Sequence, residues 1–286
     1  MHRRLIPVLE SISESYEVIF VDDGSKDESW KIIEDLCRNN QNVRGIKFSR
    51  NFGQHVAITA GLDQAKGDFI VLMDADLQDL PEEIPRLLGR CKDGCEIVYA
   101  LRKSRGDSAT KKLLSKAFYF VLNIISSFKL RPDVGVFRIM TKVVRDNIVQ
   151  MREQTRIITG LIDWLGFPCD YIEVDRPGRS FGKTKYDFRK MLRLALQGIM
   201  SFSNLPLRFA TYLGFMVSMF SLFVGAYFLI LKIFFGYGLI GWPSLITAIL
   251  FLGGVQLLVV GILGEYIGKI FLDVKQRPLY VISKRI

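Results

Sequence analysis

The last third of this 286-residue chain lacks what the rest has in plenty, which is charge: Phe209 to Leu231 holds no charged residue, nor does Ile233 to Gly264. Cysteine is scarce as well. Its four copies, Cys37, Cys91, Cys95 and Cys169, follow no metal-ligand spacing, which excludes a zinc-cluster module, and they read as packing residues of a reduced cytoplasmic domain. Of the two histidines, only His55 sits near a motif, where it either serves structure or approaches a phosphate. The first apolar stretch is short and broken by Glu10 and Glu14, so no cleavable signal peptide is visible. The net charge of +10 comes with no nucleic-acid-binding motif, which sets nucleic acid aside as a partner. No internal repeat or low-complexity segment is present.

What is there is an apolar excess, 49% hydrophobic residues and a mean hydropathy of +0.22, too high for an ordinary soluble enzyme. Each uncharged C-terminal stretch meets the roughly 20 apolar residues needed to cross a bilayer. Gly236, Gly238, Gly241 and Pro243 punctuate the region between them, which predicts a hairpin of two spans. Arg193 and Arg208 precede it, Lys269, Lys275, Arg277, Lys284 and Arg285 follow it, and only Lys232 lies on the turn side. By the positive-inside rule the protein is a multi-pass protein of the cytoplasmic membrane, with its N-terminal domain and both termini in the cytoplasm. The expected divisions are a soluble domain at 1–185, an amphipathic interface helix at 186–207, two membrane helices at 208–268 and a cytoplasmic tail at 269–286. Two basic segments, Arg102 to Lys116 and Arg176 to Arg193, lead into apolar residues at helical spacing, which suits helices lying on anionic lipid or facing a core.

From Tyr16 to Asp74, short β-branched runs alternate with helix-like stretches: Glu17 to Val21, Lys26 to Asn40, Val43 to Phe48, Gly53 to Ala65, Asp68 to Met73. This predicts a parallel α/β sheet, followed by strands near Glu96 to Ala100, Val134 to Ile139 and Tyr171 to Val174 and by helices from Pro81, Thr141 and Thr155. Two of the apolar runs end in acids, Asp22-Asp23 and Asp74-x-Asp76, at the strand ends where open sheets bind ligands. Two carboxylates one residue apart can hold a hard divalent cation and leave positions for phosphate oxygens and water.

Five strings occur in order: Val21-Asp22-Asp23-Gly24-Ser25, Asn51-Phe52-Gly53-Gln54-His55, Asp74-Ala75-Asp76-Leu77-Gln78, Phe181-Gly182-Lys183-Thr184-Lys185-Tyr186 and Leu263-Gly264-Glu265-Tyr266-Ile267-Gly268. Together they resemble the family 2 glycosyltransferases that act on polyprenyl phosphates, the group of bactoprenol glucosyltransferase and undecaprenyl-phosphate aminoarabinose transferase, with dolichol-phosphate mannose synthase more distant. The likeness spans nearly the whole chain.

That resemblance implies a GT-A, Rossmann-like α/β domain carrying a two-helix transmembrane hairpin with amphipathic interface helices, and an inverting transfer of sugar from a nucleotide donor, UDP-linked by resemblance, to undecaprenyl phosphate. It further implies donor contacts from Asp22, Asp23, Asp74, Gln78 and Arg102, and a Mg or Mn ion on Asp74 and Asp76, with Asp76 catalytic. Arg138, Arg179 and Lys185 would hold pyrophosphate or acceptor phosphate, the first also being catalytic, and Asp133 would orient the acceptor or serve as its base. A homotetramer is implied too. Two departures stand out: Thr184 replaces a common Ser, and relatives begin with an apolar strand ending near Pro-x-Tyr-Asn-Glu, whereas this chain starts at Met1 inside the helix expected to follow. That start implies truncation or impaired activity, and with it the alternative of a non-catalytic membrane paralogue that scaffolds a flippase or a downstream transferase. A processive polysaccharide synthase would carry Q-x-x-R-W, which Gln154-Thr155-Arg156 does not complete.

Overall fold

The computed structural model describes residues 1–102, 134–175, 205–235 and 241–286. Asp133, Arg179, Lys185, the basic segments and nearly all of the expected helix at 186–207 lie outside them. The chain forms two compact units, Met1–Met191 with Arg277–Ile286, and Leu192–Gln276.

In the first unit the elements run α1 (His2–Ile12), β1 (Val18–Asp22), α2 (Ser29–Asn39), β2 (Val43–Phe48), α3 (Gln54–Gln64), β3 (Phe69–Leu72), a 3-10 turn at Pro81–Glu83, α4 (Ile84–Lys92) and β4 (Ile97–Arg102). After the undescribed stretch come β5 (Val134–Thr141), α5 (Lys142–Gln150), α6 (Ile158–Trp164) and β6 (Cys169–Val174). The fold is a GT-A-like α/β arrangement, but its strands are mixed in direction where the sequence pattern predicts a parallel sheet. β1 runs parallel to β2, β4 parallel to β6, and β5 antiparallel to both β3 and β4. Apolar content marks a buried strand whatever its direction, so the reversal at β5 leaves no trace in the pattern.

Alternation along β1 sets the two cores. Val18 and Phe20 face a cluster with Leu5, Val43, Ile84, Leu87, Val98, Phe137 and Ile139, while Ile19 and Val21 face Ile46, Phe48 and Ala60 on the opposite side. The strands fall into two sheets, ordered β1-β2-β7, where β7 is the short strand Ile282–Arg285, and β3-β5-β4-β6. β1 and β3 each keep one edge without a strand partner among the described residues, and a cavity of about 1220 Å³ is lined by both.

β7 (Ile282–Arg285) is the element that sequence reading left as tail. It pairs antiparallel with β2, Ile46 opposite Arg285 and Lys47 opposite Lys284. A four-residue strand with Ser283, Lys284 and Arg285 facing outward has no apolar alternation to betray it.

The second unit holds α7 (Leu205–Phe235) and α8 (Trp242–Val274), which pack against each other. Both are long and apolar enough to cross a membrane. At 1.5 Å per residue the 33 residues of α8 span about 50 Å, beyond the roughly 30 Å of a hydrocarbon core. The excess is its charged C-terminal part, Glu265 to Asp273.

Candidate active site

The first wall of the site comes from the turn after β1. Asp22 is buried at 4% exposure; its Oδ1 accepts the Ser25 amide at 2.9 Å, and Oδ2 lies 3.7 Å from Lys47 Nζ on β2. Asp23 turns the other way, its Oδ1 accepting the Phe52 amide at 2.6 Å and its Oδ2 the Gly53 amide at 2.9 Å. These bonds explain why the two sequence strings occur together: the second acid of one staples the backbone of the other. Gly24 completes the staple. At φ +70° it sits where a Cβ would lie 2.4 Å from the carbonyl carbon of Arg50, so the close approach admits no side chain. Gly53, at φ +100°, turns the chain into α3.

The second wall is the turn after β3. Gln54, at the start of α3, donates from Nε2 to Asp74 Oδ1 at 2.7 Å. Asp76 is exposed, and its Oδ1 accepts the Gln78 amide at 3.0 Å, which curls the turn back on itself. Leu77 at the apex takes φ 61°, a left-handed conformation costing a side-chain-bearing residue about 1–2 kcal/mol. Gln78 and Asp79 are buried beneath the turn. Asp23, Asn51, Gln54 and Asp74 all line the cavity between β1 and β3. Among the described residues no group of three or more His, Cys, Asp or Glu side chains is gathered for a metal. The oxygen donors of Asp74 and Asp76 nevertheless fit a hard cation that takes its remaining ligands from phosphate and water, as magnesium does in phosphate-binding sites.

Behind this corner lies a buried polar layer. Arg138 on β5 pairs in register with Leu72, two residues before Asp74, and is 1% exposed. Its Nε and Nη2 donate to the carbonyls of Val136 and Gly135, at 3.1 and 2.6 Å, and its guanidinium lies over the Tyr99 ring, 4.9 Å from the centroid. Tyr99 donates its hydroxyl to Asp163. Burial pushes both groups up from their ordinary values. Arg138 Nη1 and His55 Nδ1 are buried without a hydrogen-bond partner among the described residues. His55 is held below its ordinary value by burial and then by the positive charges of Arg138 and Arg156.

Asp23 on the first wall and Gln54 and Asp74 on the second thus line one cavity, with Asp76 and Gln78 in the adjoining turn. Asp22 lies behind the wall, and Arg138 beneath it. For Arg102 the backbone ends β4, opposite Val174. Sequence reasoning assigned nothing to Gln54, although it stands in the string before His55, and nothing to the Tyr99–Asp163 pair, whose members are 64 residues apart. Arg156 is a helix cap, its guanidinium donating to the Met151 and Ile148 carbonyls at the end of α5. Of the four cysteines expected to be packing residues, Cys91 is buried with its thiol pushed up to about 11, Cys37 and Cys95 are half-buried, and Cys169 is exposed.

Residues 3–149 match the family described as Glycosyl transferase family 2. An uncharacterized glycosyltransferase of Synechocystis sp. is 42% identical over 281 residues, 98% of this chain and 88% of its own length. The SfII prophage-derived bactoprenol glucosyl transferase of Shigella flexneri is 42% identical over 269 residues, 94% of this chain and 87% of its own. The prophage bactoprenol glucosyl transferase homolog of Escherichia coli K12 is 41% identical over 273 residues, 95% and 89% of the two chains.

Proposed function

The chain belongs to glycosyl transferase family 2 and is a glycosyltransferase, and we propose that it moves a sugar from a nucleotide diphosphate, UDP by preference, onto a polyprenyl phosphate at the cytoplasmic face of a membrane. The observation that carries this reading is that Asp23, Gln54 and Asp74 line one cavity, beside the exposed Asp76. The names of the Shigella flexneri and Escherichia coli relatives support a bactoprenol acceptor.

The cavity is assigned to the donor's nucleotide, with Asp23 on its lining and Asp22 behind it at the base end; Gln78 and Arg102 are assigned to the diphosphate. Asp74 and Asp76 would hold a Mg or Mn ion, which supplies Lewis-acid neutralisation of charge on the departing diphosphate. Gln54 and the Gln78 amide keep those two carboxylates in place before substrate arrives, so little reorganisation is required of them.

The lipid phosphate is already anionic at neutral pH and needs little activation. Its oxygen attacks the anomeric carbon, the bond from that carbon to the donor diphosphate breaks, and a single displacement inverts the centre. Arg179 and Lys185 hold the two anionic substrates together, Asp133 orients the acceptor, and Arg138 contributes positive charge from beneath the site.

The large apolar side chains exposed along α7 and α8, among them Phe215, Phe220, Phe223, Leu250, Phe251 and Leu257, support burial of both helices in lipid. After α8 the chain returns to pair β7 with β2, in the unit that also contains the N-terminus. Two crossings satisfy that return and one does not, which supports a hairpin with both termini on one side, the cytoplasmic one by the basic residues that flank it. The test is a donor screen on purified protein in vesicles containing undecaprenyl phosphate, read by mass spectrometry of the lipid. A sugar-phosphate lipid formed only with divalent metal is expected; no product from any nucleotide sugar would overturn the reading.

A further inference from the structure

The last ten residues do more than end the chain. Arg277 O accepts from Gln154 Nε2 at 2.6 Å, and Tyr280 donates its hydroxyl to Asp63 Oδ2 at 2.7 Å. That carboxylate also receives a two-pronged contact from Arg152, at 2.9 and 3.0 Å. Beyond Tyr280 the Val281 carbonyl accepts the Ser49 amide at 3.0 Å, and Ile286 exchanges two backbone bonds with Gly45 at 2.9 and 3.0 Å. The segment is therefore clasped along the whole of β2 and its exit.

The exit of β2 is the loop that meets the acids. The Tyr280 ring stacks on Phe48, centroids 5.1 Å apart at 18°, and Phe48 meets Phe52 edge to face at 5.6 Å and 84°. Phe52 is the residue whose amide binds Asp23, and two residues later Gln54 binds Asp74. Phe48, 1% exposed, has no freedom to shift once Tyr280 covers it. The path from Tyr280 to the cavity lining is thus continuous through three rings and two carboxylates.

We propose that Tyr280 is a positioning residue: through Phe48 and Phe52 it sets the loop Asn51 to His55, and so the affinity for the nucleotide part of the donor. The inference rests on the donor reading above, with one consequence independent of it. The Phe52 and Gly53 amides, bonded to Asp23, must exchange with solvent more readily when the ring is lost, whether or not any donor is present.

The experiment uses the full chain in detergent, as wild type, Tyr280→Leu and Tyr280→Phe. Expected for Tyr280→Leu is at least tenfold faster hydrogen exchange at Phe52 and Gly53. With it goes a five- to tenfold rise in donor KM, kcat and acceptor KM staying within twofold. Tyr280→Phe, which keeps the ring, restores exchange and donor KM to within twofold of wild type. Should Tyr280→Leu not accumulate, Tyr280→Met serves in its place. Unchanged exchange at those amides, or a lowered melting temperature with unchanged donor KM, overturns the proposal. A wild type that transfers no sugar removes the donor reading but leaves the exchange result to decide the positioning role.

Discussion

Gln54 Nε2 reaches Asp74 Oδ1 at 2.7 Å, joining the start of α3 to the end of β3 across 20 residues of sequence. The bond orients one carboxylate of the acid pair before any ligand is bound. Gln54→Ala frees it, and donor affinity is expected to fall about tenfold to a hundredfold, the worth of one hydrogen bond to a charged group. Titration of nucleotide with manganese by calorimetry measures it. Gln54→Glu, which sets two carboxylates against each other, is expected to be worse.

Asp76 has a different task. It is exposed, and among the described residues its Oδ1 alone is engaged, by the Gln78 amide. Asp76→Asn keeps an acceptor for that amide but removes a negative charge from the proposed cation site. Metal-linked nucleotide binding should disappear while metal-free binding and the melting temperature stay close to wild type. Unchanged metal dependence in the calorimeter would refute the assignment.

Gly24 governs folding of the site rather than chemistry. Gly24→Ala places a Cβ 2.4 Å from Arg50 C and forces alanine into φ +70°. A loss of roughly 3 kcal/mol is expected from overpacking and left-handed strain together. Denaturant unfolding of the variant against wild type reads it.

His55 supplies a pH dependence whose sign follows from its environment. Burial, then Arg138 and Arg156, lower its folded pKa below the ordinary 6.5. Its contribution is therefore fully present above about pH 6.5 and is lost as pH falls through the folded value, because the unfolded chain binds the proton more readily. His55→Gln should shrink the drop in melting temperature between pH 7.5 and pH 5.5. An equal drop in both proteins would exclude His55 as its source.

Arg138→Ala acts first on stability. The guanidinium is 1% exposed, lies over Tyr99, and is drawn electrostatically to Asp163. Its loss leaves the Tyr99–Asp163 pair buried without a balancing charge, at about 3–5 kcal/mol. A shift in the unfolding midpoint, larger than any selective change in acceptor KM, is the expected result.

The sequence by itself determined the order of elements from β1 to β6, the acids at the ends of β1 and β3, and two helices with no charge over a membrane's thickness. Those are local properties: apolar periodicity, a carboxylate after a hydrophobic run, and the count of uncharged residues. Tertiary structure decided what local pattern cannot carry. It reversed β5 between β3 and β4, engaged both oxygens of Asp23 with the loop Phe52-Gly53, and buried Arg138 under the site. It also converted the charged end of the chain into β7 beside β2. Each of those outcomes depends on which distant backbone groups and rings come within hydrogen-bonding or stacking distance, and only the packed chain sets those distances.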